Sequence, residues 1–251
     1  MPLDADRIRA ARPENEIHYF ETVGSTMTEA ARLAAAGAPH GTVVLADEQT
    51  AGVGRMGRSW HSPPNAGIYS SVVLRLPLSP ASLPIAMLVL GLATAEAIQA
   101  STHLACDLRW PNDVLIRERK VAGILAQFIE SCIVAGIGIN VNHDSLPSDL
   151  RTPAASLRME SGGQIYDREE IVISLLAALD SFCAMLVSEG PESILRGFTS
   201  ASSYVLNRRV VIEENGSKGA TAGLDENGFL LVRSDSGRIQ RIAAGGVRPD
   251  Y

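Results

Sequence analysis

The 251-residue chain holds only three cysteines, Cys106, Cys132 and Cys183. They are odd in number, far apart and set among apolar neighbours. That excludes a disulfide framework or a metal-ligand spacing and predicts buried thiols. Basic charge is also short: 22 Lys and Arg stand against 28 Asp and Glu, a net charge of −6. Such a balance argues against broad nucleic-acid or membrane affinity through bulk electrostatics. The strongest apolar run, residues 83–95, is shorter than the roughly 20 residues that span a bilayer. The N-terminus carries Asp4, Asp6, Arg7 and Arg9 in place of the apolar core of a signal peptide. A soluble, cytoplasmic protein is therefore expected. Neither a Walker A loop nor a paired-glycine dinucleotide fingerprint occurs, which removes the commoner nucleotide folds. Hydrophobic residues at 46% and charged residues at 20% describe an ordinary globular chain, one large domain or a large one plus a small one.

What the chain does have is a glycine- and arginine-rich stretch, residues 49–60, directly after an apolar strand at residues 42–46. Gly52, Gly54 and Gly57 let the backbone approach a ligand closely, and successive amides in such a turn make a nest for an anion. Arg55 and Arg58 add two permanent charges suited to forked contacts with carboxylate or phosphate. Trp60 follows and suits a flat ring. On its own this stretch is equally a long hairpin loop with solvated arginines.

Upstream, residues 1–16 are polar, with room for a short helix and none for a DNA-binding helix-turn-helix domain before the first strand at residues 17–21. Ser25 or Thr26 is placed to cap the next helix, with Glu29 at capping-box spacing from Thr26. Downstream, strand character at 68–76 and a buried helix at 82–100 lead to a second informative region. Trp110-Pro111-Asn112-Asp113 is turn chemistry. A hairpin tipped by Arg117, Glu118 and Arg119 then brings Asp113 and Lys120 onto adjoining strands. Residues 133–141 form a further buried strand with Asn140 near its end, and helices are expected at 168–187 and 191–198. From about residue 207, strands at 209–213, 219–224, 230–233 and 239–242 are separated by Glu-Asn-Gly, Glu-Asn-Gly and Asp-Ser-Gly turns, the texture of a small β-barrel. The expected fold class is α+β: a mixed central sheet flanked by helices over residues 1–203, then a small barrel over 204–251.

Taken singly, Lys120 reads as a surface lysine at a strand edge, Asp113 as a turn former and Asn140 as a residue satisfying its own backbone. Together, an amide nest, two arginines, a lysine, a carboxylate and an aromatic suit a site that holds two anions against each other while one attacks the other. Attack of a carboxylate on a nucleotide α-phosphate, releasing pyrophosphate, has those needs. Asp113 is then placed to assist with Mg²⁺. The residues alone give an acid activated with a nucleotide, and no identity for the acid.

At these positions the sequence resembles the biotin protein ligases. The family's Gly-Arg-Gly-Arg-x-Gly-Arg-x-Trp loop is matched at residues 52–60, its Lys-Trp-Pro-Asn-Asp at 109–113 and its Lys-(Leu/Val)-Ala-Gly-Ile-Leu at 120–125. Ser25-Thr26, the Gly-Ile-Asn ending at Asn140 and an SH3-like C-terminal region complete a resemblance over roughly residues 17–250. It implies a class II aminoacyl-tRNA synthetase-like catalytic fold and a two-step reaction. Biotin and ATP give biotinyl-5′-AMP and pyrophosphate, and a lysine of a biotin carboxyl carrier domain then displaces AMP. Carried over, Ser25, Thr26 and Gln49 bind the biotin head group. Gly52, Val53, Gly54, Arg55, Lys120 and Gly123 surround its carboxylate side, with Lys120 and Arg55 catalytic. Arg55, Arg58, Trp60, Asn112 and Asn140 serve the nucleotide, and Asp113 serves the metal.

Four positions depart from the family pattern. Val53 and Met56 stand where arginine and another residue are usual, Met27 where asparagine is frequent, and Arg109 replaces lysine with charge retained. Rival readings are a lipoate or octanoate transferase, which lacks the loop pattern, a DNA-binding regulator, and a non-catalytic biotin or nucleotide sensor. An exposed sheet edge suits either a homodimer or the carrier domain.

Overall fold

The computed structural model describes residues 1–147, 150, 152–243 and 245–250; Tyr251, at the end of the expected small domain, lies outside them. The chain opens with α1 (Ala5–Ala11), capped by Asp4, whose carboxylate accepts from the amide of Arg7. It continues through β1 (Ile17–Val23), α2 (Thr26–Ala35), β2 (Val43–Gln49), β3 (Gly67–Leu74) and α3 (Leu83–Thr102). Four strands follow: β4 (Asp107–Arg109), β5 (Asp113–Ile116), β6 (Arg119–Ile129) and β7 (Cys132–Asn140). Three helices, α4 (Leu157–Glu160), α5 (Arg168–Glu189) and α6 (Pro191–Ala201), precede the C-terminal strands. Those are β8 (Leu206–Ile212), β9 (Lys218–Leu224), β10 (Leu230–Arg233), β11 (Ile239–Ile242) and β12 (Val247–Pro249).

The first seven strands make one sheet in the order β1-β2-β3-β7-β6-β5-β4. β1 and β2 run parallel, and every other neighbouring pair is antiparallel. Both faces of the sheet are covered, so its central strands read as near-continuous apolar runs. Along β2 the faces alternate: Val43 and Leu45 join the large core, while Val44 joins Met27, Ala30, Val73 and Val134 under α2. On the large-core side α3 packs against α5 and over β6. The apolar helix is longer than the run seen in sequence. Pro80–Thr102 and Arg168–Glu189 both have the length and hydropathy to cross a bilayer, yet 67% and 44% of those windows are buried inside the fold. They are the core helices of the sheet.

The C-terminal strands make a separate antiparallel sheet ordered β11-β10-β9-β8-β12. Four of its strands match the sequence expectation within a few residues. The fifth, β12, pairs with β8 and escapes sequence reading because it is three residues long and ends in proline. All three cysteines are free thiols, and burial pushes Cys106 and Cys183 up to about 12, which suits inert packing.

Candidate active site

The site opens on the α2 face of the sheet, and an irregularity in β6 aims its lysine there. Val114 pairs with Ala122 but Leu115 pairs with Lys120, leaving Val121 as an extra residue. Such a bulge reverses which face the following side chains take. Lys120 therefore shares a face with Gly123, where an added Cβ would lie 2.9 Å from Nζ. The bulge also frees Lys120's backbone, whose amide donates to Pro153 at 2.8 Å and whose carbonyl accepts from Ala155 at 3.0 Å.

Lys120 and Arg109 converge on Asp113. The lysine ammonium pairs with Oδ1, and Arg109 donates to Oδ2 through Nε at 3.2 Å and Nη2 at 2.5 Å. Burial alone would raise this carboxyl, but Lys120 and Arg109 outweigh it and hold the group below its ordinary value. Asp113 is thus a buried anion saturated by two cations. Both of its oxygens are engaged by these cations. Among the described residues no group of three or more His, Cys, Asp or Glu is placed to hold a metal ion.

Two connected hollows lie above the sheet, of about 50 and 160 Å³. Gly54, Arg55, Trp60, Asn112 and Lys120 line both, so the lysine and the loop arginine share one cleft. The smaller hollow also takes Thr26, Met27, Gln49, Val53 and Gly123. The larger takes Arg58, Asn140 and Asp113, plus Glu213 and Gly245 from the connections of the C-terminal sheet. Trp60 lies on a floor of paired glycines, Gly123 opposite Gly138. A Cβ at Gly138 would meet its Nε1 at 2.4 Å and one at Gly123 its Cζ3 at 2.8 Å. The indole N–H is buried with no acceptor among the described residues, and the Lys120 ammonium stands 5.3 Å from the ring.

Arg55 donates to Asn112 Oδ1 at 3.2 Å and to the carbonyl of Gly245 at 3.0 Å, joining the loop to both the β4–β5 turn and the segment that leads into β12. Burial lowers its guanidinium from the ordinary value, with Asp113 pulling the other way; it remains a cation at neutral pH. Arg58 is exposed. The loop is closed on itself, with the Gly54 amide donating to Arg58 and the Trp60 amide to Gly52. Of the expected amide nest, Gly54 is therefore committed elsewhere, which narrows the nest to its neighbours.

The capping expectation for Ser25 and Thr26 does not hold. Ser25 occupies the N-cap position of α2 without a side-chain cap bond, and its buried Oγ has no partner among the described residues. Thr26 is inside the helix, and its hydroxyl donates to Gln49 Oε1 at 3.1 Å while accepting from Ser71 at 2.8 Å. Ser25 and Gly52 do not line either hollow. Asn140 donates to the Ala155 carbonyl at 3.2 Å. Sequence reading missed Ser71, which only strand register brings to Thr26. It also missed the C-terminal contributions, including Tyr204, whose ring lies 5.9 Å below Arg109.

Comparison with known proteins identifies this architecture. Residues 19–144 match the model of the "Biotin/lipoate A/B protein ligase family", and residues 205–247 match the "Biotin protein ligase C terminal domain". The chain belongs to the biotin protein ligase family. The biotin–[acetyl-CoA-carboxylase] ligase of Mycobacterium tuberculosis is 32% identical over 98% of this chain and 95% of that protein. The bifunctional ligase/repressor BirA of Bacillus subtilis is 33% identical over 91% of this chain and 72% of its own length. The solved ligase of Aquifex aeolicus in complex with biotin and ATP superposes with a TM-score of 0.80 at 31% identity, covering 93% and 97% of the two chains. The protein is an ATP-dependent ligase that activates biotin as biotinyl-5′-AMP and transfers biotin to a lysine of a biotin carboxyl carrier.

Proposed function

We propose that the shared cleft divides this reaction between its two hollows. In the smaller, Thr26 and Gln49, with Ser25 beside them, bind the polar head of biotin, where unpaired site groups would penalise an analogue lacking it. Lys120, the Val53 and Arg55 amides and the nearby Gly123 floor receive the carboxylate. In the larger hollow Arg55 and Arg58 meet the triphosphate, and Trp60, Asn112 and Asn140 the adenosine. A carboxylate oxygen then attacks the α-phosphorus and pyrophosphate leaves with the electron pair of the broken P–O bond. Lys120 stabilises the charge that accumulates between them. In the second step a neutral acceptor amine attacks the acyl carbon, and AMP departs.

Asp113 serves by holding Lys120 and Arg109, and Mg²⁺ enters with ATP as part of the nucleotide substrate. Residues 1–203 form the catalytic domain in this reading and 204–251 the SH3-like domain. The partner is a carrier domain of a biotin-dependent carboxylase. No DNA contact is assigned, a homodimer through a sheet edge is compatible, and three free thiols agree with a cytoplasmic setting.

The observation that carries the assignment is that Lys120 and Arg55 line the same two hollows. Incubation with biotin, MgATP and a carrier domain, read by streptavidin blot, is expected to label the carrier in the wild type. Lys120→Ala is expected to abolish that labelling. Equal labelling by the variant would remove Lys120 from the mechanism.

A further inference from the structure

Directional hydrogen bonds connect Thr26, Gln49 and Trp60, which line the smaller hollow, through Ser71 and Ser62 behind them. Ser71 Oγ donates to Thr26 Oγ1 at 2.8 Å, and Thr26 Oγ1 donates to Gln49 Oε1 at 3.1 Å. The Thr26 amide adds a second bond to the same oxygen at 2.9 Å. From the other end of that amide, Gln49 Nε2 donates to Ser62 Oγ at 2.9 Å, and Ser62 Oγ donates to the Trp60 carbonyl at 3.0 Å. The Gln49 amide is also held through its backbone, which donates to the Ser62 carbonyl at 3.2 Å. Ser62 is 6% exposed, so its hydroxyl works in a dry setting where each bond weighs more.

Gly52 stands where this chain crosses the glycine-arginine loop. An added Cβ there would meet Trp60 O at 2.7 Å, Ser62 Oγ at 2.9 Å and Gln49 Nε2 at 3.1 Å. The first glycine of the loop is thus required by three converging polar atoms. Its own φ is not in the left-handed region.

We propose that Ser62 is a positioning residue for the ligase reaction. Its hydroxyl anchors the Nε2 end of the Gln49 amide, whose Oε1 is held by Thr26, and ties that end to the Trp60 segment of the nucleotide loop. With both Gln49 Oε1 bonds and one Nε2 hydrogen committed, the remaining Nε2 hydrogen is left in a single direction for the substrate. Without Ser62 the Nε2 end of the amide loses its buried partner, Oε1 staying held by Thr26, and the loop loses its anchor to the head-group wall. The inference rests on the reading of Gln49 as a biotin-binding residue.

The test is steady-state biotin-dependent pyrophosphate exchange with Ser62→Ala and Ser62→Thr. Loss of one bond to a buried partner predicts a rise in KM for biotin of about tenfold in Ser62→Ala. kcat at saturating biotin and ATP should stay within about twofold, because the reacting groups are untouched. Ser62→Thr, which restores the hydroxyl, should recover most of the loss. The change in tryptophan fluorescence on adding biotin should shrink in Ser62→Ala. If Ser62→Ala does not fold, Gly52→Ala, which drives a methyl into the same junction, is expected to raise KM for biotin in the same way. An unchanged KM for biotin in Ser62→Ala, or in Gly52→Ala where that variant is used, would overturn the proposal. So would equal losses in Ser62→Ala and Ser62→Thr. Absence of any biotin-dependent exchange in the wild type would instead sink the functional reading beneath it.

Discussion

Removing Lys120 should separate catalysis from folding, and the geometry around Asp113 says by how much. In Lys120→Ala the carboxylate keeps the two-pronged contact from Arg109, at 3.2 and 2.5 Å. The buried anion therefore stays neutralised and the sheet should fold. The lost ammonium, however, is one of the two cations, with Arg55, that line both hollows. Removing one preorganised charge donor from a water-poor site typically costs about 10²–10³ in rate, or ~3–4 kcal/mol. Biotin-dependent pyrophosphate exchange should fall by that factor. Asp113→Asn makes the contrast: it strands two cations in a buried pocket, and breaking such a cluster costs about 3–5 kcal/mol of folding stability. Urea denaturation should thus show a far larger midpoint shift for Asp113→Asn than for Lys120→Ala. Exchange within about threefold of wild type for Lys120→Ala, or a smaller shift for Asp113→Asn, would refute this account.

Gly138→Ala places a methyl 2.4 Å from Trp60 Nε1; it should lift the indole from its floor and raise KM for ATP by about tenfold, a shift of ~1.4 kcal/mol. Trypsin cleavage after exposed Arg58 should slow sharply when biotin and ATP are both present, and equal cleavage rates would count against the loop closing on ligand. His143, buried and flanked by His61 and Arg168, is pushed down to about 4 from 6.5. Between those values the unfolded chain binds the proton and the folded one does not, so stability is lost as pH falls from 6.5 toward 4. The loss should reach roughly 3 kcal/mol. His143→Gln should flatten that slope in denaturation measured across pH, and an unchanged slope would assign the acid sensitivity elsewhere.

Much of the site was readable from residue order. The glycine-arginine loop, Lys120 with Asp113, and Trp60 were placed together from spacing and chemistry. The expected hairpin does bring Asp113 and Lys120 into an ion pair. The strands of the C-terminal sheet were legible from regularly spaced turns, apart from β12. Misreadings arose where local chemistry offered a sufficient explanation. Ser25 and Thr26 satisfy every sequence rule for a helix cap, yet Thr26 faces Gln49 and Ser25 caps nothing. At Asp113 the sequence offers a turn former or a metal carboxylate and gives no sign that Arg109, four residues earlier, pairs with its second oxygen.

By itself, the order of residues determined what chemistry was available: which charges, which glycines, which aromatic, and the periodicities that set helices and strands. Those are local properties, fixed by backbone sterics and side-chain type. Tertiary structure decided which polar atoms are already spent on one another. Ser62 meets Gln49 only because the chain doubles back across Gly52, and Gly245 reaches Arg55 across 190 positions. A bulge at Val121 turns Lys120 toward the cleft. Burial then sets the value of each contact, because a hydrogen bond or charge sheltered from water cannot be replaced by solvent when its partner is removed.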